Sequence, residues 1–271
     1  MTQRKTGTRE WSEHSCNVCL GCAHGCLYCY ARHNALRFGR IKCGEEWTNE
    51  VVNADAVAKR HPLYKGRVMF PTTHDITAGN GGACLSALID LLRAGNQVLV
   101  VSKAGPHIPG ILYAAWSLAR WKGRLELRVS LTCLDRNIAA FWEPGAPSPG
   151  ERMDALWTAR DLGILTSVSI EPCLEPERLR EIVAGAISPW SGRPGMKGEI
   201  WIGAANKLRA RTAWVPNKLA LGLEREIRLV EAGQTPEVMR RIYESLKANP
   251  QIRWKDSYQK ALRIDALGRK V

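Results

Sequence analysis

Five of the nine cysteines in this chain fall between Cys16 and Cys29, and no other feature restricts its fold and chemistry as strongly. In a reducing compartment structural disulfides are disfavoured, so thiols clustered this closely read as metal ligands. The stretch from Cys22 to Tyr30 is CAHGCLYCY, with three thiols separated by three and two residues. Thiolates are the soft ligands that iron–sulfur clusters require. Three of them on a four-iron cubane leave one iron open to a ligand that can take part in chemistry. Two other metal readings stay open on the residues alone. Cys16, Cys19, Cys22 and Cys26 have the CxxCxxCxxxC spacing of a ferredoxin-type run, and CxxC pairs also hold structural zinc. Cys43, Cys84, Cys133 and Cys173 are scattered and read as small buried apolar residues.

Downstream of the cluster, short β-branched runs alternate with longer amphipathic stretches, the pattern of parallel βα units. Strands are expected at roughly Glu13 to Val18, Arg67 to Pro71, Gln97 to Ser102, Glu126 to Thr132, Ile164 to Ile170 and Glu199 to Ile202. Helices are expected at Ala83 to Ala94, Pro109 to Trp121, Glu151 to Leu162 and Glu175 to Ile187. The prolines of Trp142 to Gly150 and the segment Trp190 to Lys197 mark loops. Six strands would wind into a partial or closed (β/α)6 barrel over residues 1–206. Residues 207–271 form a basic, mainly helical extension with helices at Thr235 to Ala248 and Ser257 to Ala266.

The motif CxxxCxYC resembles that of the radical S-adenosylmethionine (SAM) superfamily. The run Gly21 to Arg32, then Ser130 to Thr132, and EPGAPSPGERMDAL from Glu143 to Leu156 are similar to its spore photoproduct lyase-like, or DNA repair photolyase-like, branch. The resemblance covers roughly Ser15 to Pro172. It implies a 4Fe-4S cluster on Cys22, Cys26 and Cys29, SAM chelated at the open iron, and an external flavodoxin- or ferredoxin-like one-electron reductant. It also places Tyr28 and Tyr30 near adenine and substrate, His74 and Asp75 near the SAM amino group, and Lys103 near its carboxylate. Ser130 and Thr132 share a face of the fourth strand by period two and could bond ribose or methionine. Glu171 and Asn206 follow later strands as further contacts. The branch's hydrogen-donor cysteine has no counterpart in Pro71 to Asp75, which leaves Cys84 and Tyr30 as candidates.

The formal net charge of +13 suits a polyanionic partner. From Ala205 to Val271 there are 15 Lys and Arg against 7 Asp and Glu, with Trp214 and Trp254 available to stack on a base. Nucleic acid is therefore the expected substrate, and a small metabolite or peptide, or a non-catalytic metal-stabilised nucleic-acid-binding module, are the alternatives. No run of about 18 apolar residues is present, and Met1 to Trp11 is polar, so a cytoplasmic protein without membrane association is expected.

Overall fold

Apolar and polar side chains alternate along the strands and give the central sheet two different faces. A computed structural model describes residues 5–120, 124–187, 198–216 and 220–262. Its strands are β1 (His14–Ser15), β2 (Cys19–Leu20), β3 (Val51–Val52), β4 (Arg67–Phe70), β5 (Gln97–Ser102), β6 (Leu125–Ser130), β7 (Leu165–Ile170), β8 (Ile200–Ile202) and β9 (Ile252–Trp254). Seven form one parallel sheet in the order β1-β4-β5-β6-β7-β8-β9, while β2 and β3 pair antiparallel beside it. Chain order equals sheet order after β4, and the sheet curves into a half-barrel with helices outside.

The helices are α1 (Tyr30–Arg37), α2 (Ala54–Ala58), α3 (Gly81–Arg93), α4 (Ile108–Ala119), α5 (Arg136–Trp142), α6 (Pro149–Asp161), α7 (Leu179–Ile187), α8 (Leu208–Thr212), α9 (Ala220–Ala232), α10 (Pro236–Leu246) and α11 (Asp256–Ala261). Local signals set their starts. Ser148 and Glu151 form a reciprocal capping box on α6 with Pro149 in its first turn, so this helix begins two residues before the expected Glu151. Asp135 accepts the N–H groups of Asn137 and Ile138 and starts α5, a helix the sequence reading did not anticipate.

On the convex face Val98, Val100, Leu127, Val129, Val168 and Ile170 pack with Leu88 and Leu91 of α3, Leu112 of α4 and Leu156 of α6. Each such side chain removed from water contributes about 1.5–3 kcal/mol. The alternate residues face the concave side. There Arg128, fully buried, lies between the rings of Trp11 and Trp201 at 5.1 and 5.2 Å and bonds Glu126 at 2.9 Å and Ser167 at 2.8 Å. Trp11, Met69 and Leu99 complete this floor. Open space remains above it, at the carboxyl ends of the strands.

Two features differ from the expected six-strand arrangement. The first strand is only the two residues of β1, because the chain then turns out of the sheet into β2, which carries Cys19 and pairs with β3. After residue 206 the chain is mainly helical, but it also supplies the seventh strand, with Ile200 opposite Ile252 and Ile202 opposite Trp254. Three residues are too few to show a period-two pattern. The ends of the expected helices Pro109 to Trp121 and Ser257 to Ala266, and the whole loop Trp190 to Lys197, lie outside the described residues. If the C-terminal segment shares one cooperative unit with the sheet, Ile252→Asp, at a buried position of β9, should lower a single thermal transition. Two separate transitions, with only one shifted, would contradict that.

Candidate active site

Close backbone contacts shape the cysteine loop. A Cβ at Gly21, where φ is +92°, would lie 2.5 Å from the Asn49 carbonyl oxygen, so only glycine fits. The next residue, Cys22, donates its N–H to Trp47 at 2.8 Å. Leu27 donates to the Trp142 carbonyl at 2.8 Å and Gly145 to the His24 carbonyl at 3.0 Å, which fastens the loop to the α5–α6 connection. Cys29 caps α1, its sulfur accepting the Arg32 N–H at 3.4 Å.

Cys22, Cys26 and Cys29 all line one cavity of about 1040 Å³ at the mouth of the half-barrel. Cys22 and Cys26 are buried and Cys29 is half-buried. Burial pushes the Cys26 thiol up to about 12 and raises that of Cys22, which also feels Asp75, Cys26 and Cys29. These thiols hold their protons until a metal displaces them. Arg32 is 1% exposed, its Nε and one terminal nitrogen are without hydrogen-bond partners, and it lies 3.9 Å from the Trp214 ring. Burial works against its charge, and negative charge on Cys22, Cys26 or Cys29 favours it. A buried cation with no carboxylate in contact among the described residues is costly unless an anionic group stands beside it, and a thiolate-bound cluster would be one. Among the described residues no three His, Cys, Asp or Glu side chains cage a single ion. Cubane ligands take separate irons and need not converge on one point, so the donor set fits a 4Fe-4S group.

The other cysteines lie elsewhere. Cys16 is in the apolar core with its sulfur 3.6 Å from His61 Nε2, Cys19 sits in β2, and Cys43 is exposed. None of the three lines the cavity, so the ferredoxin-type spacing is not gathered at one place. Cys84 is also buried away from the cavity, its thiol donating to Asn80 Oδ1 at 3.3 Å. Of the two candidate hydrogen donors only Tyr30 reaches the cavity wall, where its hydroxyl donates to the Thr72 carbonyl.

Two buried carboxylates organise the wall. Asp75 Oδ1 accepts the Ser102 hydroxyl at 2.5 Å and the Ile76 N–H at 2.8 Å, and Oδ2 accepts the Lys103 N–H at 2.8 Å. His24 Nδ1 is 3.2 Å from Oδ2 but off the hydrogen-bonding line. Burial alone would raise the Asp75 carboxyl; His24 and Lys103 outweigh it and hold it well below the usual range. The lone pairs of Asp75 are thus largely occupied in bracing the end of β5. His74 braces likewise: Nε2 accepts the Val18 N–H at 3.2 Å while Nδ1 donates to the Asp75 carbonyl at 3.0 Å.

Glu143 is the second carboxylate, 1% exposed. It accepts the Tyr28 hydroxyl, the Arg152 guanidinium, and the Thr132 hydroxyl at 3.0 Å, with Lys103 Nζ at 3.8 Å. Burial pushes its pKa up, and Arg152 and Lys103 bring it below its ordinary value. Thr132 lies behind the wall because β6 ends at Ser130 and the period-two alternation ends with it. Ser130 does face the cavity, opposite its register partner Ser169, whose buried hydroxyl has no partner. Glu171 lines the cavity too, accepting Lys255 at 2.8 Å and Ser257 at 3.1 Å. Asn206 is on the same wall.

Sequence reasoning passed over Glu143, Arg152, Ser169, Arg211 and Lys255 as site residues. Period two could have found Ser169, two residues before Glu171; the others depend on tertiary contacts. Trp214 and Trp254, expected to stack on a base, are engaged in packing, Trp214 against Arg32 and Trp254 between Tyr243 and Tyr258 at 5.0 and 4.6 Å.

The Asp75 bracket has a pH signature. Its folded pKa is below the unfolded value near 3.9, so its stabilisation is present above about pH 4 and is lost as pH falls. Asp75→Asn should cost about 1–3 kcal/mol at pH 7, with the gap to wild type narrowing towards pH 3 in denaturant titrations. A gap independent of pH would contradict the bracket.

No family model matches the sequence. An uncharacterized protein, ORF301 of Acidianus two-tailed virus, is 27% identical over 178 residues, covering 62% of this chain and 58% of that protein. The chain thus matches less than two thirds of that relative's length. Among solved structures, a cysteine-to-alanine mutant of spore photoproduct lyase with dinucleoside spore photoproduct superposes with a TM-score of 0.59 at 17% identity, over 92% of this chain and 78% of that one. A double mutant of the same lyase with bound AdoMet and dinucleoside spore photoproduct gives 0.57 at 16% identity, with coverage of 92% and 78%. Over its half-barrel this chain therefore shares the fold of spore photoproduct lyase.

Proposed function

We propose that this chain is a radical SAM enzyme acting on nucleic acid, with a 4Fe-4S cluster held by Cys22, Cys26 and Cys29. The observation that carries the reading is the placement of these three thiols, apart from the other cysteines, on the wall of one cavity at the strand ends. When bound, the cluster supplies the electron that splits SAM into methionine and a 5'-deoxyadenosyl radical, drawn in turn from a flavodoxin- or ferredoxin-like reductant.

The chain's own residues bind, orient and screen. Lys103 offers a cation to the SAM carboxylate, and the paired hydroxyls of Ser130 and Ser169 offer bonds to its polar parts. Tyr28 is pinned by Glu143 and lines the cavity. A space of about 1040 Å³ is at the upper end of small-molecule sites, so it admits a cofactor together with a nucleotide-sized group. A base reaching it from a duplex must first be extruded, which costs a few kcal/mol and favours damaged or unstacked targets. Tyr30, 37% exposed on the wall, is the aromatic surface for such a base. With no cavity-lining thiol besides the three ligands among the described residues, the hydrogen-return step differs from one that uses a cysteine after the second strand.

The test is anaerobic reconstitution with iron and sulfide, followed by dithionite and SAM. Wild type and the Cys16→Ala, Cys19→Ala and Cys43→Ala variants should release 5'-deoxyadenosine, and Cys22→Ala, Cys26→Ala and Cys29→Ala should give only background. Release surviving loss of Cys29 would refute the ligand set. Arg32 supplies a second check. A buried positive charge favours the more negative, reduced cluster, so Arg32→Gln should move the midpoint in an EPR-monitored redox titration to lower potential and Arg32→Lys should partly restore it. An unchanged midpoint would remove Arg32 from the site.

A further inference from the structure

Of the six Lys and Arg residues on the cavity wall, three face carboxylates. Lys103 faces Glu143 at 3.8 Å, Lys255 lies 2.8 Å from Glu171, and Lys260 lies 2.9 Å from Asp256. The other three, Arg9, Lys207 and Arg211, do not among the described residues, and the last two lie together at the start of α8. Both line the cavity, and among the described residues neither has a carboxylate within salt-bridge distance. The half-buried guanidinium of Arg211 makes one side-chain hydrogen bond, to Asn206 Oδ1 at 3.3 Å, out of five available donors.

These two residues stand four apart at the start of α8, the Arg211 N–H donating to the Lys207 carbonyl at 2.9 Å. Lys207 also holds a left-handed backbone, φ 56° and ψ 30°, at the start of α8. Glycine or asparagine takes that conformation more easily, and a lysine there costs on the order of 1 kcal/mol. A left-handed lysine and a half-buried guanidinium with idle donors both oppose stability; Glu171 and Cys29 favour the Arg211 charge, but among the described residues no carboxylate is in salt-bridge contact with it. An anion held by the two side chains would offset both costs.

We propose that Lys207 and Arg211 clasp a phosphodiester of a single nucleic-acid strand, fixing the backbone next to the nucleoside held in the cavity. The proposal rests on the nucleic-acid reading above. A phosphodiester suits the pair because the guanidinium fork bonds two non-bridging oxygens while the ammonium acts as a point charge. The SAM carboxylate already has Lys103. The clasp makes recognition depend on the linkage between nucleosides, so a free nucleoside is bound far more weakly than the same base within a strand.

Fluorescence anisotropy of the full chain with a labelled short oligothymidylate, titrated against salt, tests this. Arg211→Ala should weaken binding about tenfold and reduce the slope of log K against log salt by about 0.7, the single-strand value for one lost phosphate contact. Lys207→Gly should weaken binding similarly while leaving the melting temperature equal to wild type or higher, because glycine relieves the left-handed strain. Arg240→Gln, at an exposed position of α10, is the control and should change little. Neutral methylphosphonate linkages should cost wild type more affinity than they cost Arg211→Ala. If wild type binds but the Lys207 and Arg211 variants match it in affinity and salt slope, the clasp is wrong and the nucleic-acid reading stands. If wild type fails to bind at 50 mM salt, the nucleic-acid reading falls and the clasp with it.

Discussion

The Glu143 carboxylate, removed from water and surrounded by four donors, is the contact on which the arrangement of the site depends. Its partners come from four parts of the fold: Tyr28 from the cysteine loop, Lys103 from the end of β5, Thr132 from just past β6, and Arg152 from α6. Losing a partner from such a buried charge typically costs 3–5 kcal/mol, so these elements are held together strongly. Because Tyr28 lies between Cys26 and Cys29, the same contact sets where two of the three thiols sit relative to the strand ends. Asp75 plays a parallel part on the other side, joining His24 of the loop to Ser102 and Lys103.

Stability and chemistry are separated along the strand axis. At the amino-terminal end the concave face is filled by Arg128, Trp11 and Trp201, with Glu126 and Ser167 neutralising and bonding the guanidinium. At the carboxyl end the same face carries small polar groups, Ser130 and Ser169, beneath a large cavity. A parallel sheet produces this division because all its strands point the same way and their following loops gather at one end. The cysteine loop, the Asp75 turn and the Lys207 turn are all such connections or neighbours of them.

The parts legible in the sequence are those governed by local rules. Thiol spacing pointed to Cys22, Cys26 and Cys29, and alternation located the longer strands, because both are properties of short stretches. Glu143 was read as part of a proline-rich loop and of the stretch carrying the resemblance, with no site role, since nothing local distinguishes a solvated acid from one that Arg152 meets nine residues later. Ser130 and Thr132 were paired by period two, but the strand stops at Ser130, and the next turn sends Thr132 to Glu143 instead of the cavity. The aromatic residues of the basic C-terminal quarter could have been stacking surfaces or packing, and Trp254 packs between two tyrosines. β9 was hidden by its length of three residues.

The proposed cluster has three protein thiolates and one exchangeable position, in the cavity that Cys22, Cys26 and Cys29 line. EPR of the reduced, reconstituted protein with and without SAM measures that most directly. SAM should change the g-values of the reduced cluster in wild type and in a Cys16→Ala/Cys19→Ala double variant alike. A signal indifferent to SAM in wild type, or a cluster lost when Cys16 and Cys19 are removed, would mean that a fourth sulfur closes the site and would contradict the account.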